Sequence, residues 1–303
     1  MNSIFCTVLS SGRLYQAIAF FLSLKQVEKD AVIMTLCMDD AAFELLNKMN
    51  FPHVELIHVS QLETPELLQI KQERDDAEYC WTMKPVWIEW LFEKHRASEV
   101  TYLDADLFFY ESPIVVFRHQ PTASVLISRG DIVIPSFDQE EIRMLQKLLG
   151  SYNSGFIHFK GDEAGRECLN WWKQECVKEC KNAPGEGKFG DQGYLDYMPQ
   201  LFKGVEDIQT KGVNIGHWNY GQYTFSEKNG RIVLDNVYPL ICYHFSGFRI
   251  VNQDEIHQIH EKGRTDLPFI QEGYKQVIRH VIEAVEQTDP AFDGYAKMEG
   301  DGA

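Results

Sequence analysis

Val100-Thr101-Tyr102-Leu103-Asp104-Ala105-Asp106-Leu107-Phe108-Phe109-Tyr110 sets two carboxylates inside an otherwise apolar, β-prone run. Burying an ionised carboxylate is costly unless it is paired or binds a metal. A strand does not carry such residues for stability. In an extended chain residues i and i+2 share a face, roughly 6.5–7 Å apart. The spacing therefore predicts a strand over 99–107 whose Asp104 and Asp106 converge on one cation at its end, where open α/β sheets seat their ligands.

The flanking sequence supplies the sheet. Residues 4–9 read as a buried strand, Ser10-Ser11-Gly12 as a turn and 14–27 as a helix by its apolar spacing. A second strand at 31–37 ends at Asp39-Asp40, which cap a helix over 41–49, and a third strand follows at 54–59. Such alternation implies crossovers and a parallel sheet, so residues 1–110 read as the nucleotide-binding half of a doubly wound fold. Helices are expected at 61–76 and 79–96, the second interrupted near Pro85. Strands at 123–127 and 155–159 flank a helix at 139–149, and a helix at 163–181 precedes a loop at 182–187. After a short helix at 192–198 the pattern turns to short strands, with Asn229-Gly230 as a hairpin turn. A helix over 269–287, stopped by Asp289-Pro290, closes the chain. The expected class is α/β: a mostly parallel central sheet flanked by helices, with a smaller C-terminal region of strands and helix. One catalytic domain over 1–250, its second half at 111–250, with a helical extension over 251–303, accounts for the pattern without a linker.

Composition narrows the function. A chain of 303 residues has ample length for a packed core. Its formal net charge of −16 argues against a nucleic-acid partner, while a small phosphorylated ligand held through a metal stays open. The seven cysteines are odd in number, and the N-terminus lacks a basic signal-like region. Reduced thiols and a cytoplasmic location are the expectation. Cys176 and Cys180 lie four apart on a helix without two further ligands at zinc spacing. The apolar stretch at 17–24 is too short to cross a bilayer, so no transmembrane segment is expected.

Motifs follow the acid pair in a definite order. Tyr152-Asn153-Ser154-Gly155-Phe156-Ile157 comes first, then Asn170-Trp171-Trp172 and Gly187-Lys188-Phe189-Gly190-Asp191-Gln192. Gly212-Val213-Asn214-Ile215-Gly216-His217-Trp218-Asn219 and Tyr243-His244-Phe245-Ser246-Gly247-Phe248 complete the series. This order and spacing, over residues 4–248, resembles bacterial glycosyltransferases of the GT-A fold and, more distantly, the glycogenin-like retaining enzymes. An Asp-x-Asp alone is common; followed by Asn-x-Gly-Phe, Asp-Gln and His-Phe-Ser-Gly in this order it is specific.

The resemblance implies a transferase that moves a sugar from a nucleoside-diphosphate-sugar, with a UDP-sugar favoured, to a hydroxyl of a saccharide or other acceptor. It implies retention at the sugar carbon and a setting in cell-surface polysaccharide or lipopolysaccharide synthesis. Asp104, Asp106 and His244 take the positions that hold Mn²⁺ or Mg²⁺. Such an ion neutralises the charge developing on a diphosphate leaving group. Carboxylates suit either ion, and one imidazole shifts the preference toward Mn²⁺. The same resemblance places Thr7, Ser10 and Tyr15 at the nucleotide and Lys84 and Asp104 at the diphosphate or donor sugar. It sets Asn153 and Gly155 in the sugar pocket, Asp191 and Gln192 as the catalytic pair, and Ser246, Gly247 and Arg249 on the phosphates.

The chain departs from the family pattern in two places. Ile127-Ser128-Arg129 stands where the bacterial group often carries Thr-Pro-His, and Phe248-Arg249-Ile250 stands where glycogenin-like enzymes continue into Lys-Pro-Trp. Two other functions remain open from sequence. A metal-dependent phosphohydrolase also uses Asp-x-Asp, but near its first strand and usually followed by Thr. A non-catalytic nucleotide-sugar-binding protein would keep the fold without turnover. His158 and His217 read as structural, and Trp171, Trp172 and Trp218 read as core, because large aromatics usually pack inside.

Overall fold

The first strands alternate their side chains between two covered faces. The computed structural model describes residues 4–182, 189–258 and 268–296. Strand β1 (Ile4–Leu9) leads through helix α1 (Leu14–Val27) to β2 (Val32–Cys37), α2 (Asp40–Met49) and β3 (Val54–His58). Phe5, Leu9, Ile33 and Cys37 pack into one apolar cluster, and Cys6, Val8, Met34 and Leu36 into another on the opposite face. Both faces are thus dry, as parallel strands require. Asp39 caps α2 by accepting from the Ala42 N–H at 2.8 Å. Next come α3 (Pro65–Lys71), started by Thr64 and Pro65, and α4 (Asp76–Lys94), started by a capping box at Asp75. The helix expected over 61–76 is thus cut short by these start signals. Pro85 sits inside α4 rather than interrupting it. Burial of Met83, Trp87, Ile88 and Leu91 outweighs the roughly 3 kcal/mol that an internal proline costs.

The chain returns through β4 (Glu99–Leu103) and β5 (Leu107–Phe109), then α5 (Ile114–His119), β6 (Val125–Arg129), α6 (Gln139–Leu149), β7 (Tyr152–Lys160) and α7 (Glu163–Lys178). A short α8 (Met198–Leu201) and β8 (Val205–Asp207) complete a seven-stranded sheet of order β3-β2-β1-β4-β7-β6-β8. Strands β3, β2, β1 and β4 are parallel, β6 and β8 are parallel, and β7 runs antiparallel to both of its neighbours.

The strand expected over 99–107 breaks at Leu103. The Asp104 N–H makes the last contact in the β4–β7 register, donating to the Gly155 carbonyl at 2.9 Å, and the Leu107 N–H then donates back to the Asp104 carbonyl at 3.1 Å, which closes a turn. The two acids therefore occupy a turn, and they converge by chain reversal instead of by strand alternation. Past the turn β5 pairs with β13 (Cys242–His244), reached through β9 (Ile215–Gly216), β10 (Phe225–Lys228), β11 (Arg231–Leu234) and β12 (Tyr238–Pro239). Asn229 and Gly230 make the expected hairpin turn with φ of 52° and 74°. Strands β14 (Phe248–Ile250) and β15 (Ile256–Gln258) precede α9 (Pro268–Thr288). Tyr274 of α9 stacks on Phe245 with centroids 3.6 Å apart, which locks this helix behind β13. The expected loop at 182–187 lies, from residue 183 on, outside the described residues. Among the described residues, no helix is long and apolar enough to cross a membrane.

His158 carries a testable load in this sheet. It is 1% exposed, stacks on Phe117 with centroids 4.3 Å apart and contacts Thr101 Oγ1 through Nδ1 at 3.0 Å. Burial, helped by Lys160, pushes its pKa down to about 3. The unfolded histidine protonates near 6.5, so stability is lost as pH falls from about 6.5 toward 3. Between pH 7 and 5 this residue alone removes about 2 kcal/mol. His158→Gln should flatten that part of the pH dependence in urea unfolding; an unchanged slope would contradict the assignment.

Candidate active site

A cavity of about 650 Å³ opens where the carboxyl ends of β1 and β4 meet β7 and β13. Its floor is charged. Asp104 and Asp106 come from the turn after β4, His244 from β13, Lys84 from α4, and Asp191 from the chain just ahead of the 3₁₀ turn Gln192–Tyr197. The β5–β13 register sets His244 opposite Leu107, and the Phe245 N–H donates to the Asp106 carbonyl at 2.9 Å. His244 Nε2 consequently lies 2.8 Å from Asp106 Oδ1 and 3.7 Å from Asp104 Oδ2.

Lys84 forms the second anchor. Only 4% exposed, it places Nζ 3.0 Å from Asp104 Oδ1 and 3.3 Å from Asp191 Oδ2, and donates to Ser154 Oγ at 3.0 Å. The Tyr102 hydroxyl donates to Asp104 Oδ1 at 2.9 Å. Protonation follows from these contacts. Burial disfavours a charged Lys84, but Asp104 and Asp191 outweigh it and hold the ammonium. Burial also opposes ionisation of Asp106, yet His244 and Arg13 keep its carboxyl well below the usual range. Burial raises Asp191, only partly offset by Lys84. His244 is disfavoured as a cation by burial, and the two carboxylates still lift its pKa above the ordinary value.

Gly155 makes room for the imidazole. A Cβ there would meet His244 Cε1 at 2.5 Å and Nδ1 at 2.8 Å. Asn153, two residues earlier on β7, accepts from the Gly155 N–H at 2.9 Å and donates to Gln192 Oε1 at 3.1 Å.

The residues singled out in the sequence distribute unevenly. Ser10, Lys84, Asp104, Asp106, Asn153 and His244 line the main cavity, together with Asp191, Gln192 and Ser246. Tyr15 and Arg249 line a smaller cavity of about 290 Å³ next to it, with Arg13 and Gln16. Gly247 turns the chain between β13 and β14 with φ of 80°, a conformation glycine adopts freely. Thr7 is fully buried in the middle of β1 and lines neither cavity. His217 and Trp218, read from sequence as structural and core, are on the cavity wall, and Trp218 meets the His244 ring edge-on at 5.2 Å. Trp172 is core as expected. Sequence reasoning passed over Ser154, Tyr102, Arg13 and Asn214. The signal for Asn214 was its residue type: it sits at φ 55°, a left-handed conformation that asparagine tolerates better than most residues.

A sequence profile of the family described as nucleotide-diphospho-sugar transferase matches residues 29–203. The chain belongs to this family. The transferase is 58% identical over 300 residues, 99% of each chain, to the uncharacterized protein YfnF of Bacillus subtilis (strain 168). It is 30% identical over 295 residues, 96% of this chain and 93% of the other, to the uncharacterized protein YfnD of the same organism. Its fold is similar to that of the galactosyltransferase LgtC, solved with donor and acceptor sugar analogs: TM-score 0.56 at 12% identity, covering 90% of this chain and 94% of that one. The glycosyltransferase GlyE of Streptococcus pneumoniae TIGR4 aligns with TM-score 0.52 at 14% identity, over 94% of this chain and 64% of that one. The transferase is thus a GT-A-fold glycosyltransferase, as its motifs led one to expect.

The acids suit a divalent cation. One ligand atom each from Asp104, Asp106 and His244 lie within 4.8 Å of one another, and two carboxylates with one imidazole form a donor set for Mn²⁺ or Mg²⁺.

Lys84 offers the direct test of the charged floor. Lys84→Met leaves the buried Asp191 and the half-buried Asp104 without their cation. Breaking such a buried pair costs about 3–5 kcal/mol. Urea unfolding should show that loss at pH 7, and Lys84→Met with Asp191→Asn together should recover part of it. Strictly additive losses would contradict the coupling.

Proposed function

We propose that the transferase moves a glycosyl group from a nucleoside-diphosphate-sugar, with UDP favoured as the nucleotide, to a hydroxyl of a saccharide acceptor, in a reaction that depends on Mn²⁺ or Mg²⁺. The single observation that carries the metal dependence is the convergence of His244 on the acid pair, 2.8 Å from Asp106 although 138 positions separate the two in sequence (244 minus 106). In the reaction the bond between sugar C1 and the diphosphate oxygen breaks, and its electron pair leaves with the nucleoside diphosphate. The acceptor oxygen bonds to C1, and its proton passes to the departing diphosphate. A divalent cation held by Asp104, Asp106 and His244 supplies charge neutralisation for that leaving group.

The remaining work falls to the protein's own side chains. Lys84 faces the cavity beside Asp104 and Asp191, and its fixed ammonium stabilises negative charge without reorganising during reaction. Asn153 and Gln192 present amides at the wall where the donor sugar would lie. Arg13 and Arg249 bring positive charge to the adjoining cavity, suited to the phosphates. Asp191, a buried carboxylate bound to Lys84, serves to hold that lysine and the sugar hydroxyls. We assign retention at C1 and a role in cell-surface glycan synthesis, both supported by the motif order rather than by geometry.

Isothermal titration calorimetry with UDP, GDP and dTDP tests this reading. UDP should bind with Mn²⁺ and at least about tenfold more weakly without it, a loss of about 1.4 kcal/mol. Asp106→Ala should abolish the difference. Binding that ignores both the metal and Asp106 would sink the proposal. The anomeric proton of the product, read by NMR, decides the stereochemistry, and an inverted linkage overturns retention.

A further inference from the structure

Asn214 does more than fill space behind His244. Its direction can be read from a chain of amides whose far ends are backbone groups. The Gly155 N–H can only donate, and it reaches Asn153 Oδ1 at 2.9 Å. Asn153 therefore turns its NH₂ toward Gln192 Oε1 at 3.1 Å, and Gln192 donates to the Leu149 carbonyl, which can only accept, at 2.8 Å. The two ends agree on the orientation of both amides. Asn214 meets the same Asn153 oxygen at 2.8 Å, so the atom that approaches must be its NH₂. That turns Asn214 Oδ1 toward His244 Nδ1, at 2.9 Å. An amide oxygen accepts, so Nδ1 carries a proton. Without an ion Nε2 shares its own proton with Asp106 at 2.8 Å, and a cation held by Asp104 and Asp106 would take the place of that proton.

The backbone at Asn214 supports a functional reading. At φ 55° glycine would be the easier residue, yet glycine has no amide. The residue is 1% exposed and held on both sides: its N–H donates to Cys242 Sγ at 3.2 Å, and its carbonyl accepts from Asn219 Nδ2 at 3.4 Å. Cys242 lies on β13 with His244, and β9 begins one residue after Asn214 and pairs with β13.

We propose that Asn214 is a positioning residue for a divalent cation: it holds the Nδ1 proton of His244 and so presents bare Nε2 to the ion, while its NH₂ ties the same centre to Asn153 and Gln192. The proposal rests on the cation site described above. Outer partners of this kind typically contribute 10–100-fold to metal affinity.

The test measures Mn²⁺ binding by electron paramagnetic resonance of the free ion, in wild type, N214G and N214D. N214G removes the amide while easing the backbone; N214D keeps an oxygen that accepts the same proton but loses the donor to Asn153. N214G should bind Mn²⁺ 10–100-fold more weakly, and N214D should lose less than N214G. Wild-type affinity in N214G, or an equal loss in N214D, overturns the role of Asn214. Wild-type protein that binds no Mn²⁺ overturns the cation site itself and this role with it. Long-range ¹H–¹⁵N correlation spectra of the metal-free wild type give a readout independent of the ion: His244 should carry a proton on Nδ1 whether or not Nε2 also shares one with Asp106, and an unprotonated Nδ1 overturns the proposal.

Discussion

Three carboxylates gathered on one cavity floor are the constraint around which this end of the molecule is built. Asp104, Asp106 and Asp191 repel one another where the effective dielectric constant is low. Two unit charges 4 Å apart at an effective dielectric constant of 20 interact by about 4 kcal/mol, a large share of a domain's net stability. Positive charge must be brought to them from several parts of the chain. Lys84 arrives from α4, bridging Asp104 and Asp191. His244 arrives from β13, against Asp106. Each delivery requires a structural concession elsewhere: a proline-bearing helix buried against the sheet, a break in the strand after Leu103, and a glycine on β7 with no Cβ to obstruct the imidazole.

The same constraint links fold to chemistry. A floor held together by internal cations is rigid before any ligand arrives, which is the condition for electrostatic stabilisation of a developing charge. The C-terminal helix contributes at one remove. Tyr274 stacks on Phe245, next in sequence to His244, so packing adds to the hydrogen bond from the Phe245 N–H in holding the residues after β13 against the acids. The amide chain from Leu149 through Gln192, Asn153 and Asn214 then fixes the ring that this packing delivers.

Much of this was legible in the sequence, for physical reasons that differ by residue. The parallel half of the sheet announced itself through apolar runs alternating with helices, because strands buried on both faces have few polar positions to blur the pattern. The acid pair stood out because ionised groups are rare in such a run. What the pattern could not carry was the route of the chain around it. Asp104 and Asp106 share a turn instead of one strand, since the Leu107 N–H closes onto the Asp104 carbonyl, a reversal that the apolar residues on either side do not signal. Thr7 is set at the nucleotide by the resemblance, but its place inside the buried strand β1 leaves it fully buried. Trp218 and His217 read as packing residues, yet the chain around β9 turns them onto the cavity wall. Asn214 was hidden for the same reason: its partners Asn153 and His244 are distant in sequence, and only the fold brings them together.

The central claim is that Asp104, Asp106 and His244 form one cation-binding centre. Anomalous diffraction from crystals of the transferase grown with Mn²⁺ and UDP tests it most directly. The account predicts a single strong manganese peak coordinated by carboxylate oxygens of Asp104 and Asp106 and by Nε2 of His244, with a diphosphate oxygen completing the contact. Bound UDP with no manganese at this centre, or manganese coordinated elsewhere or through Nδ1, would contradict it.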